Sequence, residues 1–316
     1  MKVTRFVALA LGLALPVASQ AASLYSEDFN VDPTANWTVN DPAVTDTIAD
    51  FFYDYSAIGV PAAPGGTGTT GLKMTANNTT GVFGGFSVSP TGQSFTGDYV
   101  VEFDMWQNYV GPLGAGGSGT TQLSMAGIGT SGTVGVYPGF NSNENVLFAV
   151  TLDGGSSSDF RAYSSVAPTS YVAGDPVYAA PSRDGVNAYY TTPFPGGQSA
   201  PGDQIALFPG QTGAVDAGEV GFAWRKVAIQ VAGGFATWSI DGTDIATVDL
   251  STVTLGGGNI LFGHSDTNGG VSSDANDFLL NVTLIDNLVV TAIPEPATLG
   301  LVALGFGLVA ASRRRS

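Results

Sequence analysis

Apolar residues alternate with polar or small ones in short runs along much of this chain, the two-residue period of half-buried β-strands. The alternation is clearest in KVAIQVAGGFATWSIDGTDIATVDL, residues 226–250. Val227, Ile229 and Val231 share one face, Gly233-Gly234 makes a turn, a second strand runs through Trp238 and Ile240, and Asp241-Gly242 turns the chain toward Ile245 to Val248. Two consecutive hairpins are therefore predicted, because Gly-Gly and Asp-Gly accept the positive φ that tight hairpin turns demand. Further strands are predicted at Leu24 to Phe29, Asp98 to Trp106, Gln122 to Gly129, Asn145 to Asp153, Asn259 to Gly263 and Asp277 to Val290. The last is almost continuously apolar, as a strand covered on both faces would be. Between Asp153 and Glu219 the alternation gives way to Ser, Pro, Gly and Tyr, with one strand predicted at Gln204 to Phe208. This stretch reads as long loops on one rim, not a separate domain. No helical period is visible between the two ends of the chain, so the expectation is two antiparallel sheets packed face to face.

The two ends break the pattern. Lys2 and Arg5 precede the apolar run Phe6 to Leu15, Pro16 interrupts it, and the small residues Ser19 and Ala21 stand where a signal peptidase would cut before Ala22. Residues 1–21 thus read as a secretory signal peptide. At the other end, Pro294-Glu295-Pro296 precedes 16 uncharged residues, Ala297 to Ser312, and then Arg313, Arg314 and Arg315. As a helix that run would span roughly 24 Å against about 30 Å of bilayer hydrocarbon, with the arginines reaching the headgroups. A cationic flank stays cytoplasmic, which places the rest of the chain outside the inner membrane. Pro294 and Pro296 discourage helix before residue 297 and leave Glu295 extended and open to a protease.

Together these features resemble the PEP-CTERM sorting signal. The resemblance implies a precursor held in the inner membrane, cut near the motif by an exosortase-like enzyme, and delivered to the surface of a Gram-negative bacterium that makes exopolysaccharide. An ordinary anchor that is never cut is the alternative. The expected organisation is a signal peptide at 1–21, an ectodomain at 22–292 and a sorting and anchor segment at 293–316, with a single transmembrane helix in the last.

Composition narrows the chemistry of the ectodomain. Of ten basic residues two precede Ala22 and three follow Ile293, and only Glu295 of 26 acidic residues lies outside, so the stretch between carries 5 basic against 25 acidic residues, −20 net. Such a surface repels phosphate backbones, which excludes nucleic acid as a partner, and attracts cations. With no cysteine there are no disulfides, thiol nucleophiles or thiolate metal sites. With one histidine, His264, a two-histidine metal site is excluded as well. His264 itself is expected in a loop. Ser118 and Ser131 come near a nucleophile elbow but have Thr120 and Thr133 where its last glycine belongs.

The opening EDFN, the W-x-I-D-G hairpin and the closing IDNLVV resemble the concanavalin A-like or laminin G-like jelly roll. That resemblance implies paired N- and C-terminal strands, which would bring Glu27 and Asp28 near Asp286. Carboxylates gathered there suit a structural Ca²⁺, which takes 6–8 oxygen ligands; similar jelly rolls carry one near this place. The alternative is three solvated carboxylates beside strand ends. A second candidate calcium or sugar loop is HSDTNGGVSSDAND, with Asp266, Asn268, Asp274 and Asp277. It begins like an EF-hand loop but has Gly270 and Val271 where that loop needs an oxygen ligand and a glycine.

VEFDMWQ is similar to the E-x-D-x-x-E signature of a jelly-roll glycoside hydrolase family, with Glu102 and Asp104 on one strand face. Gln107 stands where the acid/base Glu should be, and an amide cannot donate and recover that proton. Two acidic positions on an exposed face is the bland reading. Trp106 and Trp238, inside strong strands, are expected in the core, as buried tryptophan usually is. Trp37 and Trp224 and the tyrosines Tyr53, Tyr55, Tyr109, Tyr189 and Tyr190 remain candidate faces for sugar rings. The sequence thus describes an exported, non-enzymatic surface or matrix protein associated with exopolysaccharide or biofilm, with carbohydrate binding in view. A glycoside hydrolase-like enzyme on the same fold is the competing reading.

Overall fold

The computed structural model describes residues 21–42, 46–76, 84–113, 122–151, 156–266 and 275–294. Among them the chain forms β1 (Ser23–Glu27), β2 (Trp37–Asn40), β3 (Ile48–Asp54), β4 (Thr70–Thr75), β5 (Gly84–Pro90), β6 (Tyr99–Asn108) and β7 (Gln122–Thr130). There follow β8 (Val146–Thr151), β9 (Phe160–Tyr163), β10 (Trp224–Ala232), β11 (Phe235–Ile240), β12 (Thr243–Asp249), β13 (Asn259–Asp266) and β14 (Val282–Ala292). Three short helices, α1 (Ala188–Thr191), α2 (Gly202–Leu207) and α3 (Asp277–Leu280), interrupt them.

The first sheet runs β12-β11-β10-β6-β14-β4-β3, and the second β2-β5-β13-β7-β8-β9. All pairings are antiparallel. The chain crosses between the sheets at β1–β2, β2–β3, β4–β5, β5–β6, β6–β7, β9–β10, β12–β13 and β13–β14, the winding of a jelly roll. The predicted terminal pairing is present: β1 lies along β14 from Ser23 opposite Thr291 to Glu27 opposite Leu288. β14 carries β4 on the same edge further back, through Thr283, Leu284 and Ile285.

Both predicted hairpins form. Gly233 and Gly234 have φ of 59° and 84°, and Asp241 and Gly242 have 49° and 76°, so each two-residue turn holds both central residues in the left-handed region. Along β10, Val227, Ile229 and Val231 are buried while Lys226 and Gln230 face solvent, as the alternation requires. The core between the sheets is aromatic: Phe103 meets Phe262 edge to face at 4.9 Å, and Trp238 stacks on Phe148 at 5.3 Å. Burying each such side chain contributes about 1.5–3 kcal/mol by transfer alone.

Several expectations change. Gln204 to Leu207 lies in helix α2 and Phe208 follows it, with Gln204 fully buried. Its side-chain amide nitrogen Nε2 donates to the Ile58 carbonyl and to Asn108 Oδ1, so tertiary bonds decide this segment over its local β-preference. The long C-terminal run is helix at Asp277–Leu280 before it becomes strand. The 156–223 stretch is not a mere rim. Phe160, Tyr178, Tyr190 and Phe194 enter the main core, while Ala200, Val215 and Phe222 cover the outer face of the first sheet. Trp106 is buried there, in this second cluster with Tyr55 and Leu284, whereas Trp238 lies between the sheets. Tyr55, Tyr109 and Tyr190 are likewise buried, Tyr190 stacked on Phe160 at 4.2 Å, which leaves Tyr53 and Tyr189 as the partly exposed rings of that group.

His264 is on β13 and fully buried. Asp266 closes the same strand, paired with Gly84 and Gln122, and Asp277 opens α3; Asn268 and Asp274 lie outside the described residues. The apolar stretches at 6–15 and 297–312 also lie outside them, and among the described residues no helix is long and apolar enough to cross a membrane.

Candidate functional site at the β14 bulge

Halfway along β14 the register against β6 slips by one residue: Asp286 faces Asp104, but Val289 faces Glu102. The inserted residue is Asn287, at φ 51°, a left-handed backbone that asparagine tolerates better than most. The bulge falls where β4 gives way to β1 as the neighbour on the other edge. Bulges re-aim side chains, and this one brings Asn287 Nδ2 to 2.7 Å from Asp104 Oδ2, to which it donates. Asp104 Oδ1 lies 3.8 Å from Lys226 Nζ on β10. Gly65 and Gly66 lie directly over this pair: a Cβ on Gly65 would be 3.0 Å from Asp104 Oδ2, and one on Gly66 would be 2.9 Å from Asn287 Oδ1. Two glycines let the backbone approach where any side chain would collide.

The result is an open depression of about 460 Å³ lined by Ser26, Glu27, Asp28, Gly65, Lys226 and the bulge. Asp286 is buried and does not line it, accepting from the Tyr55 hydroxyl at 3.0 Å and from the Asn287 amide at 2.7 Å. Burial pushes its carboxyl up to about 6, with the charges of Asp104 and Asp28 adding to the rise. Glu27 is also raised, chiefly by burial. Glu27 and Asp28 accept from the amides of Phe29 and Asn30 respectively.

Sequence reasoning found Glu27, Asp28 and Asp286 as neighbours; it did not find Asn287, Lys226, Tyr55 or the glycine pair. Asp-Asn inside an apolar strand and Gly-Gly at 65–66 were the available signals. Among the described residues no three acidic or histidine side chains converge as a metal cluster. Asp266 stands on the other sheet.

Glu102 and Asp104 do share a face, opposite Ala228 and Lys226 on β10. Asp104 is buried, not exposed as a bare sheet face would have it. β6 stays regular through Asn108, so Gln107 falls on the opposite face, buried between the sheets, where its Nε2 donates to the Val150 carbonyl at 3.1 Å.

Fold and site together define an antiparallel β-sandwich of jelly-roll winding with a polar depression on the outer face of one sheet. The chain's C-terminal residues, 292–316, match the family described as the PEP-CTERM protein-sorting motif. That motif marks the chain as an exported protein processed by an exosortase-like enzyme. Pro294 is exposed just beyond β14; Glu295, Pro296 and the three arginines lie outside the described residues. No curated relative matches the chain by sequence.

Solved structures similar to it include a protein of unknown function with a galectin-like fold from Bacillus subtilis, at 10% identity and TM-score 0.41 over 87% of this chain and all of the other. The Emp47p carbohydrate recognition domain aligns at 10% identity and TM-score 0.42, over 88% of this chain and 99% of its own. An endo-1,3-beta-glucanase from Streptomyces sioyaensis aligns at 11% and 0.42, over 89% of this chain and 100% of its own. At this degree of likeness neither ligand nor activity transfers.

Proposed function

We propose that this is a non-enzymatic surface or matrix protein, anchored in the inner membrane as a precursor, released or attached at the cell surface after its tail is cut, and associated there with extracellular polysaccharide. The sorting motif at 292–316 carries the first half of this reading. The non-enzymatic part rests on Gln107: the position where a retaining glycosidase of the resembled type keeps its acid/base holds an amide turned into the core. Glu102 and Asp104 therefore lack a carboxyl at the third position of that signature. The depression beside them offers both acceptors, in Asp28 and Glu27, and donors, in Lys226 and the Asn287 amide. Paired donors and acceptors suit hydroxyl-rich polymers, and an open, shallow site of this kind binds weakly and without strain on the sugar.

Two measurements test the proposal. Mass spectrometry of the surface form is expected to show a chain ending near Glu295; an intact arginine cluster at 313–315 would overturn the processing. A glycan array is expected to show binding weakened several-fold by Lys226→Ala, with no hydrolysis. Hydrolysis abolished by Glu102→Gln would make the protein an enzyme instead.

A further inference from the structure

A second cavity, of about 150 Å³, opens at the far rim of the second sheet, remote in sequence from the β14 bulge. Three chain segments meet in it: the end of β7 at Thr130 and Ser131, the connection through Asn143, Glu144 and Asn145, and Gly256 before β13. Backbone bonds clamp them together, since the Gly256 amide donates to the carbonyls of both Gly129 and Glu144. Gly256 keeps this approach close, because a Cβ there would stand a tight 3.1–3.3 Å from the Glu144 carbonyl, Cβ and Oε2. Glu144 itself is exposed and lines the cavity beside Gly256.

Asn145 is the informative residue. It is 1% exposed, and its Nδ2 donates to the Asn141 carbonyl at 2.8 Å, which can only accept. That bond fixes which end of the amide is oxygen. The oxygen, Oδ1, is buried and has no hydrogen-bond partner among the described residues. Leaving a buried amide oxygen unpaired is costly, so the site is built to receive something that donates or carries positive charge. The hydroxyls of Thr130 and Ser131 already accept from the amides of Gly132 and Thr133. No basic side chain lines the cavity and no aromatic face does either, while one carboxylate is present. A neutral hydroxyl ligand would bring acceptors that find few donors here; a hard cation brings none.

We propose that this rim cavity binds Ca²⁺, with Asn145 Oδ1 and the Glu144 carboxylate as its protein ligands, the neighbouring side-chain oxygens of Asn143 and Ser131 completing the shell with water. Calcium tolerates such an irregular, partly hydrated set of 6–8 oxygens, and a site with a single carboxylate belongs with extracellular modules that bind at about 10⁻⁴–10⁻³ M. That range suits an exported chain. The ion would tie the 131–145 connection, which covers the outer face of the second sheet through Val136, to the edge it packs on.

The test is calcium titration of the mature chain by calorimetry, with thermal unfolding in chelator and in millimolar calcium. Expected are saturable binding in that range, a higher midpoint of unfolding with calcium, and loss of at least about tenfold in affinity on Glu144→Gln, which keeps the shape and removes the charge. Asp28→Asn, at the β14 bulge, is expected to leave the binding unchanged. Absence of saturable binding, binding indifferent to Glu144→Gln, or binding lost instead with Asp28→Asn would each overturn the proposal. Because none of these readouts involves sugar, failure here leaves the polysaccharide reading standing, and failure of that reading leaves this one.

Discussion

Acid should weaken this protein through its single histidine, by an amount that can be worked out. His264 is wholly buried on β13, with Nδ1 2.9 Å from Thr283 Oγ1 and Nε2 against Gln122 Oε1. An amide oxygen only accepts, so Nε2 carries the proton and Nδ1 accepts from the threonine, which in turn bonds Ser124. The neutral ring is thus fully used, and burial pushes its pKa down from 6.5 to about 3. A folded-state pKa below the unfolded one gives stability that is complete above pH 6.5 and lost as pH falls toward 3. At 1.36 kcal/mol per unit, the loss is about 2 kcal/mol by pH 5 and at most about 5 kcal/mol below pH 3. Because the histidine is unique, one imidazole resonance in an NMR titration reports it without assignment. In the folded protein that resonance is expected to stay at its neutral position down to pH 4. Urea unfolding of wild type and His264→Gln between pH 8 and 4.5 then isolates the energetic part: the wild type is expected to lose about 3 kcal/mol more than the variant over that interval. A histidine that titrates near 6.5 in the native state, or two proteins with parallel pH profiles, would refute the reasoning.

Asp159 acts in the opposite direction. Burial, chiefly, raises its carboxyl to about 6, against bonds from the Gly185 amide and Thr151 that lower it, so its contribution is present below about pH 4 and lost as pH rises through 6. Asp159→Asn is expected to be more stable than wild type at pH 8 by about 1–3 kcal/mol and equal to it near pH 4, measured by the urea midpoint. Gln204→Ala removes donors from Ile58 O and Asn108 Oδ1 and an acceptor from Gln211 Nε2. It is expected to cost about 2–4 kcal/mol and to expose Trp106 to acrylamide quenching, because the segment carrying α2 loses its fastening; a variant as stable and as protected as wild type would show that α2 is not what holds this cover.

The sheets were legible where local chemistry and burial agree. Gly233-Gly234 and Asp241-Gly242 announce their turns, and the Val227, Ile229, Val231 face is the face that is buried. What stayed hidden depends on partners far away in sequence. His264 looks polar and loop-like, yet its bonds come from strands β7 and β14, supplied by Gln122 and Thr283. Gln204 sits in a stretch with strand propensity and becomes helix because its amide is satisfied by residues near positions 58 and 108. At the bulge, proximity of Glu27, Asp28 and Asp286 followed from pairing the termini, but the slip at Asn287 is a matter of register, and register is set by which face of the strand must be buried. The sorting tail was readable because its signal is linear: order and spacing suffice, without folding.

The strand that ends at this tail is also the one gripped on both edges, by β6 on one side and by β4 and β1 in succession on the other. Its last bonds, from the Ala292 amide to the Ala22 carbonyl and from the Ile293 amide to the Asp98 carbonyl, sit immediately before Pro294. On the anchored precursor proposed above, a load through the tail would run along β14 and shear two rows of bonds at once instead of peeling them one by one.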